Sequence, residues 1–426
     1  MRILYTLALR VLLPLVLLRL WWRGRRERGY WEDVTERFGR YKVEHKAGGI
    51  WLHAVSVGEA RAAAPLVHAL RRALPEQAIV MTCMTAAGRE TLKQVYGESV
   101  TAVYLPYDYP EAVQRFLEYF RPGLGIVMET EMWPNLLAAC AANGLPMLLA
   151  NARMSEKSAR GYARWSALTG PAIRSFAAVC AQSTADAERL RALGAPGVEV
   201  SGNLKFDVRP DTAQIAAGRA WRARVGRPVL LFASTREGEE RMLLDAFSQP
   251  EMNFPEKERL LIVVVPRHLQ RFDEVAQWAD ARRSRDDLPN EKQQIYLGDT
   301  MGEMAFYYAA CDVALIGGSF AALGGQNLIE ALAVGTPVVT GPSMFNFAEA
   351  TRLALEAGAA VQADNAADAI RIALQLLLNS KEKEKMGAAG RALCEAHRGA
   401  TQKHLDYCGE LLLAGANASA RAPARR

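Results

Sequence analysis

Two spacings of apolar residues alternate along most of the chain. Short, nearly unbroken apolar runs read as strands in the first half: IWLHAVS, AIVMTC, TAVYLP, LGIVMET, LPMLLAN and AAVCAQS. Between them lie stretches of helical period, such as 58–74, where Ala63, Leu66, Val67, Leu70 and Leu74 fall on one face. Strands apolar on both faces and separated by helices specify a parallel sheet covered on both sides. The second half repeats the plan with PVLLFAS, RLLIVVVP, QQIYLGD, DVALIGGS and TPVVTGP. Between the halves, near residues 195–211, GAPGVEVSGNLKFDVRPD is rich in Gly, Pro and Asp and reads as a linker. The expected fold is therefore α/β, two Rossmann-like domains facing each other across a cleft. No short-period repeat is present, which excludes a solenoid.

The ends of the chain depart from this plan. Residues from Ile3 to Trp22 are mostly apolar, interrupted by Arg10, Pro14 and Arg19, and RGRRER follows. The run is long enough to span a bilayer, although a mid-segment Arg costs roughly 2.5–3.5 kcal/mol on insertion scales. No small-x-small cleavage site follows, so a membrane anchor is expected rather than a signal peptide. Trp21 and Trp22 suit an interfacial belt, and the basic run keeps the body of the protein in the cytoplasm. A monotopic helix and a single span both satisfy this pattern. The expected organisation is an anchor over 1–22, a first domain over 23–205, a second over 206–413 and a disordered tail over 414–426.

At 426 residues the length suits two domains, and the charged fraction of 23% is that of an ordinary globular protein. The net charge of +6 is modest but uneven: residues 1–50 carry eleven Arg and Lys against five Asp and Glu. That bias suits anionic partners such as membrane headgroups or nucleic acid. The six cysteines are scattered with no CxxC or Cys/His cluster, so no structural metal and no disulfide framework are expected.

Candidate chemistry gathers at predicted strand ends, where open α/β sheets bind ligands. In HAVSVGEA, Ser56 and Glu59 have capping-box spacing, and Glu59 is also a carboxylate at a strand-to-helix corner. METEMWPN places Glu129 and Glu131 at another strand end, and NARMSEKSARGYARW spaces Arg153, Lys157, Arg160 and Arg164 along one helix face. That face reads equally as solvated or as a site for an anionic acceptor. The densest stretch, IGGSFAALGGQNLIEALAVGTPVVTGPSMFNFAE, brings the glycines of a strand-to-helix loop before Asn327, with Glu330 in the first helical turn. Glycines admit a ligand close to backbone, and Glu330 is placed to accept from ribose hydroxyls. VVVPRH ends a strand with Pro266, Arg267 and His268, and LGDTMGEM ends one with Met301, Gly302 and Glu303; Arg267 suits phosphate, whereas His268 reads as packing or capping. Ser234, Thr235 and Arg236 in ASTREGEE are likewise suited to phosphate. GxxxxGK[ST], HExxH and GxSxG are all absent.

HAVSVGEA, ETEMWPN, NARMSEKSARGY, GNLKFD, ASTREGEE, VPRH, GDTMGEM and GGQNLIEA followed by GPSMFNFAE resemble the 3-deoxy-D-manno-octulosonic acid (Kdo) transferases from the anchor to about residue 408. One departure is Gln326, where many members carry His and some Gln. The resemblance implies a glycosyltransferase B fold and transfer of Kdo from CMP-Kdo to the lipid A precursor with release of CMP. It also implies a metal-independent inverting mechanism at the cytoplasmic face of the inner membrane, with no cofactor and no nucleic-acid partner. Carried over residue by residue, it makes Glu59 the general base, with Glu129 and Lys205 steadying the transition state. Pro266, Arg267, Met301, Gly302, Glu303, Asn327, Leu328, Ile329 and Glu330 match the CMP-binding positions. A nucleotide-sugar epimerase shares the two-domain plan, but its substrates are soluble and give no reason for the anchor. A membrane-tethered nucleic-acid-binding protein lacks any supporting motif.

Overall fold

The computed structural model describes residues 1–207, 209–252, 255 and 257–421. They form two compact units: Met1–Asp207 with Arg398–Arg426, and Val208–His397.

The first unit is built on a sheet of β1 (Ile50–His53), β2 (Ile79–Cys83), β3 (Thr101–Tyr104), β4 (Leu124–Met128), β5 (Met147–Ala152), β6 (Ala178–Ala181) and β7 (Val198–Val200). The order is β3-β2-β1-β4-β5-β6-β7 and every pairing is parallel. The apolar runs are explained by burial on both faces. Leu52 and Ile126, paired across β1 and β4, point into one core layer with Leu66, while Trp51 and Val127 point into the other with Phe116. The chain reverses direction of winding between β1 and β4, so their carboxyl ends border the switch point of this sheet.

The second unit is also a seven-stranded parallel sheet, of β8 (Val229–Thr235), β9 (Leu261–Pro266), β10 (Ala281–Arg282), β11 (Ile295–Leu297), β12 (Val313–Ile316), β13 (Val338–Thr340) and β14 (Ala360–Gln362), but in the order β10-β11-β9-β8-β12-β13-β14, with β11 between β9 and β10. Its switch point lies between β8 and β12.

Four expectations are corrected. The stretch 58–74 is two helices, Val57–Ala62 and Ala64–Ala73, because Pro65 opens the second and cannot continue the first. The stretch read as a linker contains β7, paired with β6, and the first unit runs to Asp207 rather than 205. The chain after His397 returns to the first unit instead of completing the second. There Ala400 and Cys408 are buried in the core, and Asp207 accepts hydrogen bonds from the N–H groups of Gly399 (2.8 Å) and Thr401. Finally, the segment expected to be disordered continues this helix, Ala400–Arg421, since alanine is the best helix former; residues 422–426 lie outside the described residues.

The N-terminal helix runs from Arg2 to Arg26 and exposes Ile3, Val11, Leu15 and Leu18. It lies along the first unit. Asn135 Nδ2 donates to Thr6 Oγ1 (2.9 Å), the Tyr109 hydroxyl donates to the Leu9 carbonyl (2.9 Å), Arg10 pairs with Glu111, and Leu20 packs with Tyr30 and Ala86.

Candidate active site

Beyond β1, Ser56 caps the helix Val57–Ala62 and accepts from the Glu59 N–H at 3.5 Å. The Glu59 carboxylate turns back over the cap, accepting from the Val55 N–H (2.9 Å) and the Ser56 hydroxyl (3.2 Å). Capping box and candidate base are thus one residue. A helix N-terminus favours an ionised carboxylate, yet Glu59 is pushed up to about 7. Burial contributes most, the neighbouring Glu129 charge next, and the two hydrogen bonds oppose them. His53, in the same motif, is excluded as a base: it is fully buried, bonded to the Thr82 hydroxyl at 2.9 Å, and lowered by burial to about 4.

Beyond β4, Glu129 has φ of +56°, an uncommon conformation for a side-chain-bearing residue. Its oxygens lie 3.9 Å from Lys205 Nζ and 3.7 Å from Arg153 Nη2. Glu131 accepts from Trp133 Nε1 at 3.0 Å and is raised by burial and by Glu129. Burial lowers Lys205, while Glu129 and Glu59 act to keep it charged. The three residues Glu59, Glu129 and Lys205 therefore share one electrostatic site at the first unit's switch point.

Lys205 is positioned by groups from distant sequence. Asn151, buried with φ of +50°, accepts the Leu204 N–H on Oδ1 (3.0 Å) and accepts from Gln182 Nε2 on its carbonyl (2.9 Å). The Asn151 N–H donates to His404 Nε2 at 2.8 Å. His404 bonds the Ala400 carbonyl through Nδ1 at 2.7 Å, and burial lowers it to about 4, so it stays neutral and accepting. The motif NAR flagged Arg153; nothing in the sequence signalled His404.

In the second unit, buried Glu239 accepts from the N–H groups of Arg236 (2.9 Å), Gly318 (2.6 Å), Phe320 (3.0 Å) and Ala321 (3.1 Å), which ties the loop after β12 to the turn after β8. A Cβ on Gly317 would stand 2.4 Å from the Ser234 carbonyl, so close backbone approach requires that glycine. Arg267 Nε donates to Gln326 Oε1 at 3.1 Å, joining the ends of β9 and β12. His268 is lowered by burial and then by Arg236, Arg267 and Arg271, which marks a concentration of positive charge there. Just ahead of the helix Ile329–Val334, Asn327 Oδ1 accepts the Ile329 N–H at 3.0 Å and its Nδ2 donates to Glu330 Oε1 at 2.9 Å. Glu303 is engaged by Arg283 at 3.0 Å; burial alone would raise its carboxyl, but Arg283 and Thr300 hold it below its usual value. Met301 is exposed, and the Gly302 carbonyl accepts from Gln214. Pro266, Leu328 and Ile329 are buried, so their side chains serve the core and only main chain is offered at those positions. Arg283, in a polar segment without periodicity, is, like His404, a residue that sequence reasoning missed. Among the described residues no group of three or more His, Cys, Asp or Glu is arranged to hold a metal ion.

Residues 32–208 match the family described as 3-deoxy-D-manno-octulosonic-acid transferase (kdotransferase). The 3-deoxy-D-manno-octulosonic acid transferase of Bordetella pertussis is 47% identical, over 94% of this chain and 97% of its own. The chain belongs to the Kdo transferase family. The same-named protein of Haemophilus influenzae is 36% identical over 95% of this chain and 97% of its own. Residues 228–393 of this Kdo transferase match the glycosyl transferases group 1 family, so each parallel-sheet unit corresponds to a glycosyltransferase segment. A UDP-GlcNAc 2-epimerase structure from Neisseria meningitidis shares the fold, with a TM-score of 0.55 over 86% of this chain and 99% of that one, at 16% identity. The likeness extends to architecture only: the full-length relatives make this Kdo transferase a glycosyltransferase, not an epimerase.

Proposed function

We propose that this Kdo transferase takes Kdo from CMP-Kdo and transfers it to a hydroxyl of the lipid A precursor, tetraacyldisaccharide lipid IVA, with inversion and without a metal. The observation that carries the reading is Glu59, a carboxylate at the switch point of the first unit whose proton affinity lies near neutrality. Glu59 accepts the proton of the acceptor hydroxyl while the oxygen of that hydroxyl forms the bond to Kdo C2. The bond from C2 to the phosphate oxygen breaks, and CMP leaves with the electron pair. Lys205, held beside Glu129, offsets the negative charge of the Kdo carboxylate or the departing phosphate. In the second unit, Arg267 meets the phosphate of CMP, Glu330 accepts from the ribose hydroxyls, and the 301–303 loop, fixed by the Arg283–Glu303 pair, meets the base. The main chain at 266 and 328–329 lines the same site. The enzyme works at the cytoplasmic face of the inner membrane, attached through the helix Arg2–Arg26.

The test is single-turnover transfer from CMP-Kdo to lipid IVA by the parent and by Glu59→Gln. The parent releases CMP and yields a heavier lipid; the variant transfers roughly 10²–10⁴-fold more slowly while still binding CMP. Transfer by Glu59→Gln at near the parent rate returns Glu59 to the role of a helix cap.

A further inference from the structure

We infer that the acyl chains of the acceptor lie in an apolar groove of the first unit, between the N-terminal helix and the helices Glu156–Arg164 and Ser166–Ile173. This rests on the acceptor being an acylated, phosphorylated sugar, as proposed above. The groove encloses about 840 Å³, a size that suits a ligand of several hundred daltons. Leu4 and Ala8 form one wall, Gly161, Trp165 and Leu168 the other, and Met132 the floor. Leu4 and Trp165 are more than half exposed, which leaves large apolar side chains facing water unless something covers them.

Three observations select acyl chains of the reacting lipid as the occupant. The floor is continuous with the reaction site: Met132 and Pro134 follow Glu129 and Glu131 directly, and the Tyr162 hydroxyl of the far wall donates to the Thr130 carbonyl at 3.2 Å. A chain lying in the groove therefore leads its headgroup toward the carboxylates. Arg164 lines the groove and Lys157 lies one turn before Gly161 on the same helix, while Arg160 is paired with Glu156; the positive charge of Arg164 and Lys157 complements an anionic amphiphile. The near wall belongs to the one helix, among the described residues, that is apolar and long enough to meet a bilayer, and its outward residues Ile3 and Val11 are more than three-quarters exposed. The groove thus opens where lipid is supplied.

Gly161 gives the test, because a Cβ built there meets nothing within 4 Å; a larger side chain enters the groove without disturbing the helix. Transfer by the full-length protein is measured with tetraacyl lipid IVA and with its fully deacylated disaccharide bisphosphate. For the parent, kcat/KM favours the acylated acceptor. In Gly161→Phe that preference falls at least tenfold, and in Ala8→Trp, which narrows the groove from the opposite wall, it falls likewise. Both variants must keep the parent melting temperature for the ratio to be read, and using two walls guards against one of them misfolding. A preference within twofold of the parent in both variants overturns the groove as acyl site. The assignment is equally overturned if the variants lose binding to phosphatidylglycerol vesicles while the ratio stands, because the groove then holds bulk phospholipid. If the parent transfers Kdo to neither acceptor, the functional reading itself fails; if it transfers to both with an unmoved ratio, only the groove assignment falls.

Discussion

The Glu59 carboxylate receives hydrogen bonds from the Val55 N–H and the Ser56 hydroxyl, both of which favour ionisation, yet it holds its proton up to about pH 7. Burial and the charge of Glu129 outweigh the cap, and that balance has consequences for rate and for stability. With Glu59 as the base proposed above, transfer requires its deprotonated form, so kcat/KM should rise with pH and level off above about 7. In Glu129→Gln one source of the upward push is gone; the acid limb should move to lower pH even as the rate falls. A pH–rate profile of the variant with an unmoved limb would show that Glu129 does not sense Glu59. For stability, a folded value near 7 against an unfolded value near 4.5 means the folded state binds more protons between those limits, so this site loses stability as pH rises through them. At about 1.4 kcal/mol per unit, the loss is roughly 3 kcal/mol, as an order of magnitude. Glu59→Gln carries no such term. Its melting temperature relative to the parent should climb from pH 4.5 to 7 and then flatten, whereas a Glu59 whose carboxyl is unshifted gives a difference that stays flat over that range.

At the scale of elements, the sequence pattern was most informative where an element was buried on both faces. The strands at the centre of each sheet stand out as apolar runs because helices cover them on two sides. The strands β7, β10 and β14 are edge strands of two or three residues with polar positions, and their formation depends on a neighbour that periodicity does not see. The site divides the same way. Glu59, Glu129 and the Gly-rich loop occupy strand ends and carry recognisable motifs, but the charge of Glu129 on Glu59 requires β1 and β4 to be adjacent. His404 reaches Asn151 across 253 residues and Arg283 reaches Glu303 from a featureless segment, so only the fold brings them together. The N-terminal helix is a further case. Composition left a span and a monotopic anchor open, whereas the structure ties Thr6, Leu9 and Arg10 near one end, and Leu20 near the other, to the same unit. A span with its first residues across the bilayer would break the first set of contacts, so an in-plane helix is expected. A cysteine placed at Ile3, in a protein whose buried native thiols are shielded, should react with an impermeant maleimide in inside-out vesicles and not in right-side-out ones. The opposite pattern would establish a span.

Across the whole molecule, the two units are unequal in how the chain builds them. The second is one continuous segment, 208–397, whose sheet and core helices, including Ala366–Leu378 and Ser380–Ala396, all come from within it. The first is discontinuous and needs the C-terminal helix: Ala400 and Cys408 fill its core, Asp207 caps the helix start, and His404 fixes the Asn151 backbone that positions Lys205. Residues 208–397 expressed alone should therefore melt cooperatively and bind CMP with an affinity close to that of the full chain, as measured by calorimetry. In that fragment Glu330→Ala should weaken CMP by roughly tenfold or more, since bonds to a charged acceptor contribute about 1.5–3 kcal/mol. Residues 1–207 alone leave the Asn151 N–H and a strip of core uncovered, and should show no cooperative transition until 398–421 is supplied in the same chain. The dependence has a functional reading: the segment that completes the first unit is also the one that holds the Lys205 loop. Replacing His404 by Leu in the full chain preserves apolar bulk but leaves the buried Asn151 N–H without its acceptor, which costs roughly 1–3 kcal/mol. Its expected signature is a lower melting temperature of the first unit with transfer reduced and CMP affinity intact. If CMP affinity falls along with transfer, or if residues 1–207 fold without the C-terminal helix, the helix is an ornament of the first unit and not the support of its site.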